Sequence, residues 1–203
     1  MILFSWGDFM IAHMSKNISS FFIAQGIISD EDREVYEYSF EILLSTLLSF
    51  IALAVISILS NSVIYTVLYL IGFIPLRMIA GGYHAKTHLR CFILLMLTYS
   101  LFLVIISQMP INYSVFVIVP CVIFSIISVL LFAPSVDKNR PISSGDIHKL
   151  KKRSRYIIIG YTILIAMLIV FPVDIKLSTS VALGNVTVAT SLLANQIKTK
   201  ITA

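Results

Sequence analysis

Three residues able to do nucleophilic or ligand chemistry, His84, His88 and Cys91, fall in one polar stretch, R-M-I-A-G-G-Y-H-A-K-T-H-L-R-C-F, from Arg77 to Phe92. The chain on either side is strongly apolar, so their clustering asks for an explanation. A cysteine thiolate paired with a histidine base performs acyl transfer, which needs the imidazole within hydrogen-bonding reach of the sulfur. On one continuous helix the spacing of His84 and Cys91 would hold their α-carbons about 10.5 Å apart. A working pair therefore requires the chain to fold back before Cys91. Gly81-Gly82 supplies the backbone freedom for that turn, and Thr87 suits the N-cap of a helix starting just ahead of the cysteine. Cys91 would then lie in a first turn with Arg90 beside it, where the helix dipole and the cation both favour a thiolate. Metal binding is the second chemistry: His84, His88 and Cys91 at i, i+4 and i+7 could share a face, but only on an unbroken helix and with no acidic helper nearby. In a third reading Cys91 is a small buried apolar residue and His84 a loop donor.

The elements that must position these residues are membrane helices. Of the chain's 203 residues, 58% are apolar and 12% charged, and the mean hydropathy is +0.96. That is more apolar surface than one soluble core of this size can hide. The expected fold is all-α: one integral membrane domain over 1–203, with an amphipathic interfacial helix at 1–28, about six transmembrane helices within 29–197 and a short tail at 198–203. Fifteen basic against ten acidic residues give a net charge of +5. The basic residues sit in short connections between apolar runs, so the charge reads as membrane topology; lipid is an expected partner and nucleic acid is not. Two isolated cysteines make no disulfide framework. The start, M-I-L-F-S-W-G-D-F, lacks a basic lead and a cleavage site, so the membrane segments are expected to belong to the mature protein.

Along the chain, Ile2 to Ile28 carries apolar residues at helical spacing broken by Asp8, Lys16, Asn17 and Ser20. Ser29, followed by Asp30, Glu31 and Asp32, is the expected N-cap of a long helix entering the bilayer near Tyr38. Spans are expected at Tyr38–Leu59, Val63–Leu76 or a little beyond, Cys91–Ser107, Tyr113–Phe132, Tyr156–Phe171 and Leu177–Ile197. Pro75 falls near the end of the second and Pro120 kinks the fourth. Ala133 to Arg155 reads as a polar loop with seven basic and two acidic residues. Placing this loop and the Arg77–Arg90 stretch in the cytoplasm satisfies the positive-inside rule, and six spans return Lys198 and Lys200 to the same side. Cys121 is expected to pack in the fourth span, and His88 to face solvent in the first reading, with orienting the loop or binding substrate as the alternatives. Glu37 and Glu41 read as a hydrated helix start or as partners of Lys86 or a basic substrate. Lys149, Lys151, Lys152, Arg153 and Arg155 are expected to set topology and touch anionic lipid. No Asn or Asp in the Arg77–Phe92 stretch offers a third catalytic member.

The string from Arg77 to Phe92, followed two spans later by A-P-S-V-D-K-N-R-P-I at Ala133 to Ile142, resembles the AgrB family of membrane endopeptidases of Gram-positive quorum sensing. The similarity covers most of the chain, and Arg77, Gly82, His84 and Cys91 at this spacing, with Asn139-Arg140-Pro141-Ile142, make it specific. The resemblance implies a multi-pass cysteine peptidase of the cell membrane, working near the cytoplasmic face without a metal or other cofactor. Its implied partner is an AgrD-type propeptide, cut on its C-terminal side. Cys91 would be the nucleophile and His84 the general base, with Arg77, Gly82, Lys138 and Arg140 in supporting or substrate-binding roles. A cysteine or serine within the substrate would resolve the acyl-enzyme to a thiolactone or lactone ring. Such a reaction profits from the high effective molarity of an internal nucleophile and needs water kept away. A homodimer would be compatible with the amphipathic start. The competing readings are a peptide exporter and a scaffold without catalysis.

Overall fold

The computed structural model describes residues 3–83, 85, 87–110, 114–135, 144–171 and 174–202. Among these residues are seven α-helices and no strand: α1 (Leu3–Ala24), α2 (Arg33–Leu59), α3 (Val63–Ala80), α4 (His88–Gln108), α5 (Ser114–Phe132), α6 (Ser144–Val170) and α7 (Ile175–Thr202). The six from α2 to α7 are long and apolar enough to cross a membrane, as expected, and the chain is a multi-pass membrane protein. It divides into two compact units, one of Met1–Leu59 with Ala85–Tyr99 and one of Ser60–His84 with Ser100–Ala203.

In the first unit α1 packs along α2. Its inward face carries Ser15 and Ser19, both fully buried, while Phe9, Met10, Met14 and Phe21 point outward. Small residues at the contact let the two helices approach, and the outward apolar stripe suits a helix lying at a lipid surface. Phe22 stacks on Phe40 with ring centroids 5.7 Å apart, which fixes the angle between the helices. The start of α2 differs from expectation. Asp30–Asp32 forms a 3-10 turn, and Ser29 Oγ donates to the Asp32 carboxylate instead of accepting a backbone amide. The hydroxyl proton is drawn to the charged carboxylate three residues on, so Ser29 closes the turn as a donor instead of capping it as an acceptor.

The second unit is built around α7, which touches α3, α5 and α6. The segment with the weakest apolar signal is the innermost: 61% of the α7 window is buried, against 28% or less for the other five spans. Its Ser, Thr and Asn content follows from facing protein. Ser178, Thr179, Ser180 and Thr187 each donate to a carbonyl three or four residues back, so their polar atoms need no outside partner. Lack of bulk also lets α3 come close. A methyl group placed on Gly184 would stand 2.3 Å from the Tyr69 carbonyl oxygen, and one on Gly72 would stand 2.6 Å from that of Val181. Apolar layers fill the rest, with Leu76, Ala80, Val129, Ala133, Ile158, Val188 and Leu192 toward one end and Ile118, Ile165, Val181 and Ala182 toward the other.

The second span continues a little beyond Leu76, as allowed for, with α3 running through Pro75 to Ala80. Proline lacks the N–H that would bond the Ile71 carbonyl, and the Tyr161 hydroxyl of α6 donates to that oxygen at 2.5 Å. The expected loop at Ala133–Arg155 is also corrected: α6 begins at Ser144, so the basic residues Lys149, Lys151, Lys152, Arg153 and Arg155 lie exposed on a helix, with Lys149 3.6 Å from Asp146. Straight-chain basic residues are good helix formers, and their charge marks where the helix leaves the lipid rather than where it ends. At the far end Asp174 caps α7 by accepting the Lys176 amide at 2.9 Å, and Tyr65 of α3 donates to its other oxygen at 2.5 Å. Leucine at Gly184 should force α3 and α7 apart and cost about 2–3 kcal/mol. Leucine at Gly160, which meets nothing within 4 Å, should cost little. Thermal unfolding in detergent is the measurement, with the first variant melting clearly lower.

Candidate active site

The chain leaves α3 through a turn held by one guanidinium. Arg77, in the last turn of α3, donates from Nη1 to the Gly81 carbonyl at 2.8 Å and to Ser191 Oγ of α7 at 2.6 Å, and from Nη2 to the Tyr83 carbonyl at 2.5 Å. These planar, forked, charge-assisted bonds fix the path of residues 81–83. The Tyr83 amide in turn donates to Ser191 Oγ at 2.9 Å and to the Ser191 carbonyl at 3.0 Å. Lys198 places its ammonium 5.1 Å from the Tyr83 ring centre. Both glycines are obligatory. Gly81 has φ +76° and Gly82 φ +135°, and a methyl on Gly82 would fall 1.9 Å from Arg77 Nη1 and 2.4 Å from Ser191 Oγ. Ser135, just past α5, closes the turn from beneath: its amide donates to the Ala80 carbonyl at 2.8 Å, and its hydroxyl accepts from Asn195 Nδ2 at 2.5 Å.

Cys91 lies in the first turn of α4, and its side chain is exposed. Thr87 is the N-cap: its Oγ1 accepts the Arg90 amide at 3.3 Å and its carbonyl accepts the Cys91 amide at 3.2 Å. Asp8, from α1, accepts the Leu89 amide at 3.2 Å. The break in the helix that a cysteine–histidine pair requires is present, because residues 81–83, 85 and 87 are not helical. The same break removes the unbroken helix on which the metal alternative depended. Exposure of Cys91 also sets aside its reading as a buried apolar residue. His88 does not face solvent as expected: its Nε2 is 3.3 Å from Glu41 Oε2, and the side chains are 26% and 24% exposed. Cys121 is half-buried in α5, in keeping with a packing role.

Of the expected site residues, Arg77, Gly82 and Cys91 are placed as above, whereas His84, Lys138 and Arg140 lie outside the described residues. Arg77 and Gly82 act inside the protein, as the staple of the turn and the space that receives it. Ser191, Lys198, Ser135 and Asn195 escaped sequence reasoning, since only their unusual polarity for a membrane span hinted at them. Ser191→Ala or Arg77→Lys should speed deuterium exchange at the Tyr83 amide about tenfold, the scale of one lost charge-assisted bond. Exchange in the middle of α3 should not change.

The family model AgrB, accessory gene regulator B, matches residues 12–193 of this chain. A putative AgrB-like protein of Clostridium perfringens is 29% identical over 151 residues, covering 72% of this chain and 69% of that protein. An accessory gene regulator protein B of Staphylococcus aureus is 31% identical over 119 residues, 58% of this chain and 60% of that one, and its Staphylococcus intermedius counterpart is 27% identical over 117 residues. The chain thus spans about 60% of the length of these staphylococcal relatives. No solved structure matches it. With a family match running from α1 into α7 of a multi-pass helical protein, the chain belongs to the accessory gene regulator B family, and its role lies in the agr quorum-sensing system.

Proposed function

We propose that this chain is a membrane cysteine endopeptidase that cuts an AgrD-type propeptide and cyclises the product. The observation that carries the reading is Cys91, an exposed thiol in the opening turn of a membrane helix, directly after a break in the chain. A nucleophile needs access and a fixed orientation, and a capped helix N-terminus offers both. His84 follows Tyr83, the last residue of a turn bonded to Arg77 and Ser191.

In the proposed reaction His84 accepts the Cys91 proton as the sulfur attacks the scissile carbonyl. The tetrahedral intermediate collapses to a thioester, and His84 returns the proton to the departing amine of the C-terminal fragment. A cysteine or serine inside the bound peptide then attacks the thioester carbonyl, transferring its proton to His84. The Cys91 thiolate leaves, is reprotonated, and the peptide is released as a thiolactone or lactone. With a cysteine as attacking group, thioester is exchanged for thioester, so the ring closes at little cost and the gain lies in the intramolecular geometry. The basic residues Arg77, Lys149, Lys151, Lys152, Arg153, Arg155, Lys198 and Lys200 favour placing the ends of α3, α6 and α7 that carry them at the cytoplasmic face of a Gram-positive cell membrane. An exporter would need polar side chains turned toward a path, and several hydroxyls of α7 are turned to their own backbone. That observation favours the peptidase.

Cells expressing the protein with a candidate propeptide test the reading by the size of the peptide on a gel. Cys91→Ser should abolish cleavage, and His84→Ala should slow it at least about a hundredfold, the weight of a general base. Unaltered cleavage in both would sink the proposal. Glutamates at Lys149, Lys151 and Lys152 should reduce processing without loss of membrane insertion if this exposed row receives an acidic substrate tail, and unchanged processing would leave the row to lipid.

A further inference from the structure

Two carboxylates that are far apart in sequence converge on the first turn of α4. Asp8 of α1 accepts the Leu89 amide at 3.2 Å, and Glu41 of α2 holds the His88 imidazole at 3.3 Å. Both contacts sit within the turn that presents Cys91. The leading amides of a helix have no acceptor within it, and an end without caps frays. Here Thr87 accepts the Arg90 amide and Asp8 the Leu89 amide, while the His88–Glu41 pair ties the same turn sideways to α2. Side chains on a helix lean toward its N-terminus, so the Cys91 sulfur leans over the turn that these contacts hold. An ionisable residue such as Glu41, mostly buried in a membrane helix and paired with a titratable partner, is costly to keep without a use.

We propose that Asp8 and Glu41 are positioning residues for Cys91, acting through the Leu89 amide and the His88 imidazole. The amphipathic α1 is then part of the catalytic apparatus as well as a membrane-surface helix. This rests on the reading of Cys91 as the nucleophile. Neither carboxylate needs to touch the reacting atoms. Their effect is to hold the sulfur in one orientation.

The test uses the full-length protein in membranes on a Cys121→Ala background, which leaves Cys91 as the single thiol. Two rates are measured, alkylation of Cys91 by iodoacetamide and cleavage of a co-reconstituted propeptide. Asp8→Ala and Glu41→Ala should each lower kcat about tenfold with KM changed less than about twofold, the scale of a lost helix cap. Alkylation should change in the same variants. Asp8→Asn and Glu41→Gln keep an acceptor oxygen and should recover most of the loss. Parent-like cleavage and alkylation in both alanine variants would overturn the proposal, as would asparagine and glutamine variants as impaired as the alanine ones. If Asp8→Ala does not accumulate, Asp8→Ser, polar but too short to reach Leu89, takes its place. Alkylation requires neither propeptide nor catalysis. Should Cys91→Ser still cleave, the nucleophile reading fails, while the alkylation series still decides whether the two carboxylates set the turn.

Discussion

A single guanidinium governs where the chain goes after its second membrane crossing. Arg77 bonds the Gly81 and Tyr83 carbonyls and Ser191 on a helix more than a hundred residues away. Without it, a turn of two glycines has too much backbone freedom to keep one path. With it, the glycines become an asset, because only residues lacking a β-carbon let the backbone lie against the guanidinium and the serine at once. Lysine could not replace that geometry, since one point charge cannot serve three acceptors in a plane.

The partner of this clasp is α7, and its character reverses the usual expectation for a span. Helices that face lipid must be apolar, but a helix enclosed by other helices is free to carry serine, threonine, asparagine and glycine. Hydroxyls bonded back to their own helix tolerate burial, and glycines at 72 and 184 bring α3 close enough for Tyr69 to reach Thr187 at 3.0 Å. The same closeness sets Ser191 opposite Arg77. Packing in the interior of the second unit and the shape of its turn are therefore one problem, solved by the same small residues.

The first unit answers a different demand. Its helices hold the opening turn of α4, a helix end that would ordinarily loosen. Capping by Thr87, an acceptor from α1 and a carboxylate from α2 that pairs with His88 supply what the end lacks. Charged and titratable groups gather there because they keep part of their hydration while gaining fixed partners.

Much of this was legible in the residues themselves. Long apolar runs dictate membrane helices because an unbonded backbone cannot lie in lipid, and all six were found, although α6 begins twelve residues ahead of the expected Tyr156. Gly81-Gly82 and Thr87 announce a break and a restart through local backbone chemistry alone, so the position of Cys91 in a first turn was also readable. The start of α6 was not, because a basic run looks the same to a hydropathy count whether it is a loop or a helix emerging from the membrane. Nor could the partners of Arg77 be named, or those of His88 and Leu89. Ser191, Glu41 and Asp8 are ordinary polar residues whose meaning lies in what they meet, and distance along the chain carries no information about that meeting. Local propensity and solvent preference are written into each segment, whereas a hydrogen bond between segments exists only once packing has brought its two ends together.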